Sequence, residues 1–193
     1  MRLRTASHES QRLVPYYSGA GGELVSGAIL GGYARYIATR PGAERLGDHG
    51  LFGDEGSVDL DKAMSELEHY TGNVWTHIIS LHREDAARLG YDNAQAWRSL
   101  LRTHRNDIAA AMNIPPQDFR WYAAFHRKED SVHIHMVVFS SDPKEGYLTR
   151  QGIQQVKSAF GRRIFQQDLL HVYEQKTEYR DALAGMRSAP WQS

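Results

Sequence analysis

Three histidines raise the question of metal chemistry. His133-Ile134-His135 heads the apolar run Met136-Val-Val-Phe139, and His126 closes an earlier apolar run that begins at Phe119. Side chains two apart on a strand project to the same face, so His133 and His135 can share one ion. If the two runs pair as a hairpin across the polar stretch Arg127-Lys-Glu-Asp-Ser131, His126 reaches that face as well. Three neutral imidazoles with coordination positions left over describe a catalytic metal site rather than a closed structural one. Such a donor set suits Zn, Ni or Cu as well as other divalent ions. The alternative is a pair of ordinary strand histidines on a polar surface. His77 and His82 flank another strand-like run, as supporting or exposed residues. His8, His49, His69, His104 and His171 are read as surface or packing residues.

Other chemistries are narrowed by what is missing. No Cys is present, so disulfides, thiolate ligands and a Cys nucleophile are excluded. The chain has no His-Glu-x-x-His, no Walker loop, no Gly-x-Ser-x-Gly, and no Gly-x-Gly-x-x-Gly after a strand. A length of 193 residues predicts one domain, and 41 % apolar residues are enough for a core. No apolar run approaches the roughly 18 residues of a membrane helix, and Met1-Arg-Leu-Arg does not read as a signal peptide. A cytoplasmic protein is the expectation.

The histidine strands need elements to hold them. Ile29, Leu30, Tyr33, Tyr36 and Ile37 recur at helical steps from Ala28 to Thr39, ended by Pro41-Gly42. Gly47 to Gly56 reads as a loop. Asp59 caps an acidic helix to Tyr70, and Val74 to Leu81 reads as a strand. After a short helix from Arg83 to Leu89, the stripe Ala96, Trp97, Leu100, Leu101, Ile108 and Met112 predicts a single helix over Asn93 to Met112. Thr149 caps a last long helix running to about Glu174, followed by a polar tail. An adjacent strand pair among irregularly placed helices predicts an α+β fold, with a central, mostly antiparallel sheet flanked by helices. Cupins, which also bind metal through His-x-His, are all-β barrels and do not fit these helices.

Together, these residues resemble a known family. His126-Arg-Lys-Glu-Asp130-Ser-Val-His133-Ile-His135 is similar to the third motif of the MOBP-class conjugative relaxases, MobA/MobL-like enzymes of the HUH endonuclease superfamily. Lys128 stands where the family usually has an acidic residue, so the resemblance makes Asp130 the residue that orients a ligand His. Gly32-Tyr33-Ala-Arg-Tyr36-Ile37-Ala-Thr-Arg40 looks like the first motif, whose Tyr-Ile pair supplies the nucleophile. That implies Tyr36, with Tyr33 one turn back as the alternative. Trp75-Thr-His-Ile-Ile-Ser80 resembles the second motif, a strand ending in a Ser that contacts DNA. The likeness covers about residues 10 to 175 and implies a relaxase domain over residues 1–175; residues 176–193 are a polar tail or the start of a further extension.

The resemblance implies a relaxase: metal-dependent, strand-specific nicking of DNA at an origin of transfer, through a 5′-phosphotyrosine, for mobilisation of a plasmid or integrative element. It implies Mg²⁺ or Mn²⁺ on His126, His133 and His135, and DNA contacts from Ser80, Arg40 and Arg35. Its expected partners are single-stranded DNA, relaxosome accessory proteins and a coupling protein. Rolling-circle replication initiators and transposases use the same apparatus, and a catalytically silent DNA-binding module is the rival outside enzymology. The formal charge is zero, with 23 basic and 23 acidic side chains, so DNA binding calls for charge segregated between faces. Arg35, Arg40 and Arg45, then Arg98, Arg102 and Arg105, and Lys157, Arg162 and Arg163 form the basic clusters. Asp54, Glu55, Asp59, Asp61, Glu66 and Glu68 are the acidic stretch.

Overall fold

The computed structural model describes residues 1–8 and 28–166, with isolated positions up to 180. Elements follow in the order β1 (Arg2–His8), α1 (Ala28–Thr39), β2 (Leu51–Gly53), β3 (Gly56–Ser57), α2 (Leu60–His69), β4 (Val74–His82), α3 (Arg83–Leu89), α4 (Ala94–Thr103), α5 (Arg105–Ala111), β5 (Phe119–Arg127), β6 (Ser131–Ser140) and α6 (Arg150–Ile164). The strands form one sheet in the order β1-β4-β6-β5-β2-β3. Every pairing in it is antiparallel. The expected α+β architecture is the observed one.

Strand alternation divides the interior in two. Val132, Ile134, Met136 and Val138 of β6 point into the larger core with Trp97, Leu101, Ile108, Phe119, Phe125 and Phe160. Val137 and Phe139 point the other way, into a smaller core beneath α1 and α2 with Leu30, Ala34, Ile37 and Leu67. Each fully buried Phe or Leu contributes about 1.5–3 kcal/mol through apolar burial. Gly31 lets the two smaller-core helices approach closely, since a Cβ there would lie 2.5 Å from the Glu68 side chain. α1 lies on the sheet face that carries His133 and His135.

Three elements depart from expectation. The helix expected over Asn93 to Met112 is two, α4 and α5, with His104 at φ −97°, ψ 12° between them. His104 occupies the inward position of an otherwise apolar stripe. Its ring stacks edge-on to Phe160 at 5.7 Å, and its Nδ1 is 2.7 Å from Asp107. A break there lets a polar ring sit at the core margin while Ile108 and Ala109 stay buried. Within the expected glycine-rich loop, Leu51 and Phe52 are buried and form the strand β2, which pairs with β5. β1, absent from the pattern reading, pairs along β4 from Arg2↔Ser80 to His8↔Val74. The Gly/Ser-rich stretch before Ala28, much of the last helix expected between Phe165 and Glu174, and most of the polar tail lie outside the described residues.

Side-chain caps mark three helix starts, at Asp59 and Thr149 as expected and also at Asn93. Asp59 accepts from Lys62 N, Asn93 from Ala96 N and Thr149 from Gly152 N. Asn93→Ala removes a 2.8 Å bond at the start of α4. It is expected to lower the unfolding free energy by about 1 kcal/mol, measurable as a lower urea midpoint at unchanged slope.

Candidate active site

β5 and β6 pair in a register that sets His126 directly opposite His133 and Ala124 opposite His135. Directly opposed residues of an antiparallel pair share a face, and their diagonal neighbours also come within reach of long side chains. All three imidazoles therefore project from the face covered by α1. The rings of His126 and His135 lie 4.6 Å apart. On the other side of β6, Ser80 of β4 is the partner of His133.

Hydrogen bonds then fix the rings. His126 Nε2 donates to the Ile37 carbonyl of α1 at 2.7 Å. A carbonyl only accepts, so Nε2 carries the proton and the lone pair resides on Nδ1. That Nδ1 is buried and has no hydrogen-bond partner. His133 is bracketed by two hydroxyls, Ser80 Oγ at Nδ1 and Ser131 Oγ at Nε2, each at 2.8 Å. His135 Nδ1 and the Tyr33 hydroxyl share a 3.1 Å hydrogen bond. Burial disfavours the charged ring, pushing His126 down to about 4 and His135 down to about 3; the His126 and Arg40 charges add to the effect at His135. Both rings are neutral at pH 7, the form that binds metal.

The donors fit a divalent ion in chemistry and in face. They are neutral imidazoles, one presenting an orphaned buried lone pair, a costly feature that a ligand would relieve. Among the described residues, no group of three or more His, Cys, Asp or Glu side chains is already assembled at metal-binding distances. Engagement of His133 would replace the hydrogen bond of Ser80 or of Ser131.

Residues 17–190 match the MobL relaxases, which is most of the chain. The chain belongs to the MobL relaxase family. No curated protein and no solved structure matches it. It is thus a DNA relaxase in general character, and no helix among its described residues is long and apolar enough to cross a membrane.

Not every residue anticipated from the relaxase motifs stands at the histidine face. Tyr36 lies on α1, 39 % exposed, with the Arg40 guanidinium 5.1 Å from its ring centre. Arg40 is close enough for its charge to act on both His126 and His135. Tyr33 is half-buried against the smaller core. Arg35 instead turns to α2, where its Nε meets Met64 Sδ at 3.3 Å and its Nη2 lies 3.7 Å from Asp61. Asp130 is exposed in the β5–β6 loop, where its backbone carbonyl accepts from Arg83 N. The bonds that orient His126 and His135 come from Ile37 and Tyr33 of α1. Ser131 was missed from sequence, although its place two residues before His133 is the period-two signal for a shared face.

Elsewhere one of the expected basic clusters pairs with part of the acidic stretch. Arg102 and Arg105 both bridge to Asp54, at 3.4 and 2.6 Å, and Arg98 donates to the Gly53 and Asp54 carbonyls. This basic cluster therefore holds the β2–β3 turn, and its acidic partner comes from the stretch expected on the opposite side. Trp97 and Trp121 are buried in the larger core, so neither offers a ring for stacking on a base. Trp75 is half-buried and donates to the Gly146 carbonyl.

His77 of β4 faces the larger core, opposite the candidate site. It is 2 % exposed and neither ring nitrogen has a partner. Burial pushes it from 6.5 to about 4. Between those values the unfolded chain takes up a proton that the folded one refuses, so stability falls as the pH drops from about 6.5 towards 4. The part of the acid sensitivity due to His77 is on the order of 2 kcal/mol between pH 7.5 and pH 5. His77→Leu is expected to narrow the gap between urea midpoints at those two pH values; an unchanged gap rules His77 out.

Proposed function

We propose that this chain nicks one DNA strand at an origin of transfer by transesterification, serving conjugative mobilisation of a plasmid or integrative element. The observation that carries the reading is a single sheet face bearing three imidazoles, two of them held neutral by burial, under a helix that carries two tyrosines. Tyr36 is the proposed nucleophile. It is accessible, as a group attacking a DNA phosphate must be, whereas the Tyr33 hydroxyl is engaged with His135. The Tyr36 phenol oxygen bonds to phosphorus and the P–O3′ bond breaks. The 5′ strand end stays on the protein as a phosphotyrosine, and the departing 3′ oxygen takes up a proton to balance the one the phenol loses. One phosphoester replaces another, so the strand can be rejoined without ATP.

Arg40, beside the Tyr36 ring, is placed to grip the phosphate under attack. Ser80 orients His133 in the folded protein and is the second proposed DNA contact. Arg35, paired towards Asp61, is the weakest of the three proposed contacts. His126, His133 and His135 would hold the divalent ion, Mg²⁺ or Mn²⁺ as the family resemblance implies; when bound, it supplies positive charge against the charge growing on the phosphate. Relaxosome accessory proteins and a coupling protein belong to the same proposal.

The test is incubation of the protein with labelled single strands from the DNA flanking its gene, read as a covalent adduct on a denaturing gel. An adduct at a transfer origin supports the reading. An adduct only at a replication origin or transposon end reassigns the same chemistry to a replication initiator or transposase. Binding without adduct on any strand leaves the silent DNA-binding module.

A further inference from the structure

Helix α1 reaches the histidine face at two points one turn apart. Ile37 offers its carbonyl to His126, and Tyr33 presents its hydroxyl to His135. Positions four apart on a helix lie on the same face, so one helix contacts two rings that belong to different strands. The Tyr33 ring meets that of His135 edge-on, with centres 6.4 Å apart and planes at 63°. Tyr33 itself is lodged against the smaller core, which limits its freedom to move away.

We propose that Tyr33 is a positioning residue for His135: its hydroxyl oxygen accepts the His135 Nδ1–H and holds the ring in the tautomer whose lone pair is on Nε2. The inference rests on the reading above that His135 is a ligand. His126 sets the precedent, because the Ile37 carbonyl fixes its proton on Nε2 and leaves Nδ1 open. Outer partners of this kind select which nitrogen of a histidine is available and raise its basicity as a ligand. A phenol oxygen is suited to the role, since it can accept from the ring while its own proton goes elsewhere. Tyr33 is thereby given a role distinct from that of the nucleophile.

Two measurements test this. In the full-length wild-type chain without metal, ¹⁵N spectra of labelled histidine should show the His135 proton on Nδ1; a proton on Nε2 overturns the proposal and needs no variant. Titration with Mn²⁺, followed by the paramagnetic signal of the free ion, should show Tyr33→Phe binding about 10–100-fold more weakly than wild type. Its circular dichroism should be unchanged, and a Tyr36–DNA adduct should return at saturating Mn²⁺. Wild-type Mn²⁺ affinity in Tyr33→Phe overturns the proposal, as does an adduct mapped to Tyr33. His135→Ala is the control. If wild type and His135→Ala bind Mn²⁺ equally, or if neither binds, the ligand assignment of His135 fails, while the tautomer still decides what Tyr33 does.

Discussion

Tyr36→Phe is expected to abolish the covalent adduct with origin DNA while leaving single-strand binding near the wild-type level. Removing the nucleophile of a covalent mechanism costs on the order of 10⁴-fold or more in rate. Binding should survive because Tyr36 is a surface residue of α1 whose ring contributes nothing to either core. Truncation of the hydroxyl also leaves the ring in place under Arg40, so the guanidinium proposed to grip the phosphate keeps its position. The check is a denaturing gel beside a native one: adduct lost, complex retained. Persistence of the adduct in Tyr36→Phe and its loss in Tyr33→Phe would move the nucleophile one turn back along α1.

Chelation of divalent ions with EDTA should stop nicking, and added Mn²⁺ should restore it. An ion polarising a phosphoryl oxygen is worth several kcal/mol, which converts to a rate loss on the order of 10³-fold. His126→Ala is expected to reproduce the loss without rescue by added ion, because it deletes the nitrogen whose lone pair is buried with no partner. That variant also removes the bond to the Ile37 carbonyl, so its folding is read in parallel by circular dichroism. Full nicking in EDTA would remove the metal from the mechanism and leave the imidazoles as hydrogen-bonding groups for the DNA.

Local pattern explains how much of this was legible beforehand. The strands β4, β5 and β6 and the helices α1, α2, α3 and α6 announce themselves through apolar periodicity, capping residues and turn dipeptides within a few positions. β1 and β2 do not. Their place depends on pairing with β4 and β5 far along the chain, and a short buried pair such as Leu51-Phe52 among glycines carries no period to read. The break at His104 escaped for a related reason. The apolar stripe continues through it, and only packing against Phe160 and the bond to Asp107 show that the helix must turn. The pairing of one basic cluster with part of the acidic stretch was not legible because ion pairing is decided in space: Asp54 is some 50 positions from Arg102 and Arg105 in the chain and shares a cluster with them in the fold.

The same division runs through the site. Sequence by itself determined that His126, His133 and His135 would share one face, because strand alternation and a hairpin register are properties of neighbours along the chain. It also determined family membership, through the order of the three motifs. The partners of His126 and His135, and with them the open nitrogen of His126, were decided only by the tertiary structure. Those partners come from α1, 89 residues from His126 and 102 from His135. Their contact depends on how closely the helix is pressed to the sheet, which no local spacing records.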